Sequence, residues 1–324
     1  MFVIFYYYMY TAIVLAFSVI LNGVTLVINF SIRKSERDNK YISLVNPHIY
    51  TSIVFSCIQA VVDPVISVEK NVLYIFSARE FVSKNWMQVM LSIYFGLYGT
   101  VAIQRLIYSF YHWDMVVHST FHYFKYSLHI KCWNSFAFMI GLLWSLSVYQ
   151  VSHTPYVDFV IQTPLNATYG VDIQNVTYSA LFYKSGDILN VLGIATGSIF
   201  LITLCIAMMA YIVLHWQIWG TQKKVKNTSA YPNFRRDVLI LLGSNILISA
   251  VFLFFPVILA LVLPIFNLDG HIAYLSISML LTLYPVIVAG ARLYTSRVYR
   301  SAIHRFFCGS CENDEEIEVE RITV

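Results

Sequence analysis

The sequence predicts an all-α membrane protein, a seven-transmembrane helix bundle with its N-terminus outside, on three observations. The first is composition. Of 324 residues, 58% are hydrophobic and only 12% are charged, about half the charged share of an ordinary soluble protein. The apolar excess has to face lipid. The second is a set of seven long apolar segments, and the third is a lopsided distribution of lysine and arginine.

A bilayer core about 30 Å thick takes roughly 20 helical residues to cross, because backbone N–H and C=O groups must be satisfied within the segment. The segments run from Ile4 to Asn29, Leu44 to Ile66, Trp86 to Tyr108, Trp133 to Tyr149, Ile188 to His215, Val238 to Leu263 and Ile272 to Leu293. The first lacks the positive leader of a signal peptide and is about twice as long as a signal core, so it reads as a retained span. Tyr6, Tyr7, Tyr8 and Tyr10 suit an outer interfacial belt. With the N-terminus outside, 17 lysines and arginines fall on the inner side and 4 on the outer, the asymmetry expected when short basic loops stay cytoplasmic. The long outer segment from Gln150 to Asp187 carries two N-x-S/T acceptors, at Asn166 and Asn175, which fit that orientation. Asn29 and Asn227 also match the pattern, but lie on the inner side.

A net charge of +4, with the basic residues distributed as topology signals, leaves no nucleic-acid footprint. The sequence has no H-E-x-x-H, no G-x-S-x-G and no phosphate-binding glycine loop, so it points away from an enzyme, and nothing in it asks for a cofactor. His112, His118, His122 and His129 crowd the second inner loop; without a completing cysteine or carboxylate they read as interfacial residues rather than metal ligands. Cys57, Cys132 and Cys205 are expected to pack as small apolar residues. An odd number of spans with no internal repeat argues against a transporter of two equivalent halves.

The third span ends in Gln104-Arg105-Leu106. Counted from Trp86 at 1.5 Å per residue, Arg105 falls about 28 Å down, at the inner membrane edge. It could snorkel to water there, or meet a cytoplasmic partner when helices move. Asp63-Pro64 lies near the outer end of the second span, where it is expected to mark a kink and a water-facing pocket wall. Residues Ser296 to Phe307 form an interfacial amphipathic helix, with Val298, Ala302 and Phe306 on one face and Arg297, Arg300 and His304 opposite. Cys308 and Cys311 come next as candidate palmitoylation sites. The chain thus divides into a membrane domain over 1–311, with the interfacial helix at about 296–307, and an acidic, disordered cytoplasmic tail over 312–324.

Seven spans, an arginine closing the third, a basic third inner loop (Lys223-Lys224-Val225-Lys226), Tyr284-Pro285 in the seventh span and Tyr299-Arg300-Ser301-Ala302-Ile303 after it resemble a G-protein-coupled receptor. More narrowly, the aromatic-rich spans and the tyrosine-arginine step resemble the nematode serpentine chemoreceptors. The resemblance implies a small-molecule chemical ligand, a heterotrimeric G protein as partner and a multi-pass location in the plasma membrane, with the sensory cilium a candidate. It places G-protein contact at Arg105, Lys223, Lys224 and Arg300, and helix pivots at Pro256, after Phe252, Phe254 and Phe255, and at Pro285. The ligand pocket falls among outer-half residues Tyr94, Tyr98, Asn190, Phe255 and Tyr274. The chain departs from rhodopsin-like receptors in carrying Gln104 and Leu106 where an acid and a tyrosine flank the arginine, and in lacking the cysteines that tie the third span to the second outer loop. A neuropeptide or amine receptor is the alternative within signalling; a transporter or ligand-gated channel is the alternative outside it.

Overall fold

The computed structural model describes residues 2–35, 40–69, 72–77, 83–117, 123–124, 126–150, 155–182, 188–224, 243–266 and 271–308. Seven helices are long and apolar enough to cross a membrane. They are α1 (Phe2–Ser35), α2 (Lys40–Val62), α3 (Lys84–Val117), α4 (Ser127–Gln150), α6 (Ile188–Lys224), α7 (Gly243–Phe266) and α8 (His271–Thr295). Between α4 and α6 lies a further helix, α5 (Pro155–Tyr169), and after α8 comes α9 (Arg297–Cys308).

Burial sorts the spans. In α3, 67% of the apolar window is buried, against 22% in α4 and 28% in α1 and α6. The third span is therefore the axis of the bundle, and the other three present wide apolar faces outward: Phe17 and Ile20 on α1, Met139 and Leu142 on α4, Ile202 and Ile206 on α6. A helix apolar on its outer side suits lipid, which competes for no hydrogen bonds. Cys57 and Cys132 also lie on this outer surface and Cys205 is half-buried, which corrects the expectation that they pack inside.

Small residues bring α3 and α4 together. A Cβ on Gly141 would stand 2.0 Å from Thr100 Oγ1 and 2.5 Å from the Gly96 carbonyl oxygen, so the two backbones approach as only glycine allows. Side-chain hydrogen bonds tie the first two spans to each other and to α8. Ser18 meets Ser56 at 2.7 Å, Gln59 donates to Thr282, and Tyr10 donates to the Met279 carbonyl at 2.9 Å.

The second span stops at Val62, short of the expected Ile66. Pro64 disfavours the α conformation in the residue before it, and Asp63 turns into the left-handed region at φ 43°, where aspartate is among the few tolerated residues. Its N–H still closes the last turn onto the Gln59 carbonyl at 2.6 Å. Asp63 is fully buried, so the expected water-facing wall is not there.

Beyond this turn the chain enters a sheet that the pattern of apolar spans does not predict. Strands β1 (Val65–Glu69), β2 (Val72–Ser77) and β3 (Thr177–Phe182) pair antiparallel in the order β1-β2-β3. Val68 faces Leu73 across the first ladder, and Leu73 faces Leu181 across the second. The strands alternate as pleating requires. Val65, Val72, Tyr74, Phe76 and Tyr178 pack outward against Ile161, Leu165 and Tyr169, while Ile66, Val68, Leu73 and Leu181 pack toward the helices. The sheet therefore lies between α5 and the bundle, capping the end that carries the N-terminus. Burial pushes the phenols of Tyr74 and Tyr169 above their ordinary range, so both stay neutral.

In α7 the residues Ala250–Phe254 form a π-helical turn, with the Phe255 N–H bonded to the Ala250 carbonyl. Pro256 follows one residue further on, after Phe255. Proline has no N–H and its ring collides with the carbonyl four residues back; widening the preceding turn by one residue relieves both.

Candidate functional site

Beneath the sheet the helices enclose a cavity of about 60 Å³, room for roughly four to six water-sized spheres. The sheet supplies its ceiling through Ile66, Leu73, Ile75, Ser179, Ala180 and Leu181. Its walls come from Tyr94, Phe95 and Tyr98 on α3, Trp144 and Val148 on α4, Phe200 on α6, Val257, Ala260 and Leu261 on α7, and Ser278 and Leu281 on α8, with Pro64 between α2 and β1. Aromatic rings form one continuous side: Tyr98 stacks on Trp144 at 6.1 Å, and Trp144 on Phe200 at 4.4 Å. Tyr94 stacks on Phe55 at 5.0 Å.

Among the described residues no charged side chain lines the cavity, and most of its polar groups already have partners. Ser179 Oγ accepts from Gln88 at 3.2 Å. Ser278 Oγ accepts the Ile66 N–H at 2.9 Å and donates to the Tyr274 carbonyl at 3.1 Å. The Tyr98 hydroxyl donates to the Leu253 carbonyl inside the π turn. The Tyr94 hydroxyl makes no hydrogen bond among the described residues. The result is an apolar chamber with one available phenol.

Two of the sequence-predicted ligand residues, Tyr94 and Tyr98, line this chamber. Tyr274 is fully buried in the same core without lining it. Phe255 points outward and is 57% exposed; the π turn ends on Phe254, and that ring is the one facing inward. The Asn190 side chain lies outside the described residues, although its backbone belongs to α6. Sequence reasoning misses Trp144, Phe200 and the three strands. Val257, Ala260 and Leu261 share the i, i+3, i+4 spacing of one helix face, a signal present just after Pro256.

At the opposite end of the bundle Arg105 is 2% exposed. Helix α3 continues three further turns, to Val117, so the residue sits inside the bundle and not at its edge. A snorkelling side chain must reach water, and this one does not. Its guanidinium donates to Asn245 Oδ1 on α7 at 3.1 Å and lies over the Tyr108 ring at 5.8 Å. Arg292, one residue before the end of the predicted seventh span, is buried as well. Arg300 is exposed on α9, while the side chains of Lys223 and Lys224 lie outside the described residues. The amphipathic helix is present, with Arg300 and His304 outward and Tyr299 fully buried. The Tyr299 hydroxyl donates to Asn29 Oδ1 at 2.8 Å, and Asn29 in turn donates to Asn46 at 2.7 Å. Pro256 and Pro285 are both buried within their helices. Asn166 is exposed on α5; the Asn175 side chain, the Cys308 side chain and all of Cys311 lie outside the described residues.

Seven membrane-spanning helices around an aromatic-lined chamber, with a buried arginine at the far end of the axial helix, define a seven-transmembrane receptor. The family model for the serpentine type 7TM GPCR chemoreceptor Str matches residues 7–304, and the chain belongs to that family. No curated protein matches the chain. The protein is thus a multi-pass member of a chemosensory receptor family.

Proposed function

We propose that this receptor binds a small, mainly apolar external molecule in the chamber under the sheet and, once occupied, activates a heterotrimeric G protein. The observation that carries this reading is the double role of Tyr98, which lines the chamber and holds the π turn of α7. An occupant that displaces Tyr98 changes the contact between α3 and the helix most able to pivot, at Pro256. At about 60 Å³, well below the roughly 150 Å³ that takes a benzene ring, the chamber as it stands suits a ligand of only a few non-hydrogen atoms, and the available hydroxyl, on Tyr94, suits a single hydrogen-bond acceptor such as a carbonyl or ether oxygen. Lack of a charged lining residue favours such a molecule over an amine or a peptide.

In this reading the sheet end faces outward, as the distribution of basic residues argues. Asn166 and Asn175 carry glycans, and Cys308 and Cys311 anchor α9 to the inner leaflet. Arg105, Lys223, Lys224 and Arg300 form the face that meets Gα, and Pro285 provides a second pivot. The deciding experiment expresses the receptor with a promiscuous Gα and screens a panel of small volatile and soluble molecules. A hit whose potency falls in Tyr94→Phe and Trp144→Ala receptors at matched surface level supports the chamber as its site. A hit indifferent to both substitutions places binding elsewhere.

A further inference from the structure

Helix α1 carries a seam of buried polar residues, Thr11, Ser18, Asn22, Thr25 and Asn29, at the three- and four-residue spacing that keeps one helix face toward the same neighbours. At Thr11 the seam meets a gap of about 10 Å³ between three helices, lined by Thr11 and Leu15 of α1, Ser56 and Gln59 of α2 and Thr282 of α8. About one water-sized sphere fits there. The gap shares no lining residue with the chamber under the sheet.

Its hydroxyl hydrogens are spent within their own helices. Thr11 Oγ1 donates to the Tyr8 carbonyl at 2.9 Å, Ser56 Oγ to the Ser52 carbonyl at 3.0 Å and Thr282 Oγ1 to the Ser278 carbonyl at 2.8 Å. Having given up its hydrogen, Thr282 can only accept from Gln59, which therefore turns its amide nitrogen to it. The Gln59 side-chain carbonyl is left over, and it accepts no hydrogen bond among the described residues. Three hydroxyl oxygens and one carbonyl thus offer lone pairs alone, and the gap suits an occupant that donates. No charged residue lines it, so a cation there would sit inside the spans without a counter-charge on the lining. An apolar gap of this size would stay dry, whereas one with several polar partners holds water.

We propose that this gap binds one water molecule, which donates one hydrogen to Thr11 Oγ1 and the other to Gln59 Oε1. The site is independent of which molecule the chamber receives. Only 28% of the apolar window of α1 is buried, so the hold of that helix on the bundle is largely polar. The bound water adds a link from α1 to α2 beside the Ser18–Ser56 contact and the Tyr10 bond to α8.

The test exposes the full-length receptor in lipid nanodiscs to brief X-ray radiolysis, which makes hydroxyl radicals from water and labels the side chains that water touches. Leu15, beside the gap, should be labelled, and the outward-facing Ile20 of the same helix should not. Thr11→Val removes one acceptor at constant shape, and labelling of Leu15 should fall about fivefold, the factor one hydrogen bond makes in an equilibrium. Thr11→Ser, which keeps the oxygen, should retain the label. Should the valine variant fail to fold, Gln59→Met, which removes the other acceptor, serves in its place with the same expected loss. A wild-type Leu15 labelled no more than Ile20 overturns the proposal, as does equal labelling in the wild type and the folded variant. A saturable rise of the unfolding midpoint with sodium, titrated against choline and abolished by the same variant, also overturns it, because the occupant would then be a cation.

Discussion

The Tyr98 hydroxyl donates to the carbonyl of Leu253, joining a residue that lines the apolar chamber to the π turn of another helix. Seven residues further along α3, Arg105 makes the second tie to α7, through Asn245. Seven residues are about 10 Å of helix, so the two ties hold one antiparallel pair at two levels, one beside the chamber and one at the buried Arg105.

Tyr98→Phe keeps the ring and removes the upper tie. A neutral hydrogen bond contributes about 1 kcal/mol, a factor of about five in a two-state population. If the form described is the resting one, basal nucleotide exchange on the G protein should rise by about that factor. Exchange measured without ligand at matched surface expression checks this, and an unchanged basal rate would detach the π turn from activation.

The lower tie separates two roles that one arginine could play. Asn245→Ala breaks the tie but leaves the guanidinium in place, so basal exchange should rise while stimulated exchange persists. Arg105→Ala should reduce stimulated exchange by about tenfold, a loss of roughly 1.4 kcal/mol in coupling, with ligand occupancy retained. An Arg105→Ala receptor that signals like wild type would remove this residue from the mechanism.

Gly141→Ala puts a methyl group against Thr100 and the Gly96 backbone, where a Cβ would lie 2.0 Å and 2.5 Å from its neighbours. Overpacking of this kind costs about 1–3 kcal/mol. The unfolding midpoint and surface level should both fall, whereas Gly23→Ala, with nothing within 4 Å, should leave them near wild type.

Topology is open to a gel experiment. Asn166→Gln and Asn175→Gln should each remove one glycosidase-sensitive increment in mobility, and Asn227→Gln should remove none. A glycan at Asn227 would invert the bundle.

Tyr299→Phe should loosen α9, since it removes the hydroxyl bonded to Asn29. Faster amide exchange over residues 297–308, with exchange in α8 unaltered, is the expected signature. Acyl labelling of wild type against the Cys308→Ser, Cys311→Ser double variant tests the lipid anchor separately, and equal labelling would exclude acylation at these cysteines.

The bundle is legible in the sequence because lipid imposes one rule on every span, and length with apolar content is enough to read it. The amphipathic α9 is legible for a related reason: one face meets water and the other does not. Strands β1 to β3 are hidden because both of their faces are buried, which erases the apolar–polar alternation that marks a half-exposed strand. Val65-Ile66 accordingly resembles the end of a helix, although Asp63-Pro64 gives a physical reason for the chain to leave the helix there. Within the site, Tyr94 and Tyr98 are within reach because aromatic residues on the axial helix have few places to go. Phe255 is misplaced by the π turn, whose extra residue rotates all that comes after it by most of one position. Counting from Trp86 puts Arg105 at the membrane edge; nothing in the local sequence says that the helix runs three turns further.

A ceiling of paired strands opens differently from a loop. Because β2 is bonded on both sides, lifting it breaks two ladders at once and exposes Val72, Tyr74 and Phe76, an event closer to local unfolding than to the swing of a flap. If the chamber receives a ligand as proposed, entry should be easier sideways, where helices part against lipid tails that demand no hydrogen bonds. The concentration that governs occupancy would then be the one dissolved in the bilayer, and molecules would be ranked first by how readily they partition into hydrocarbon and only afterwards by fit.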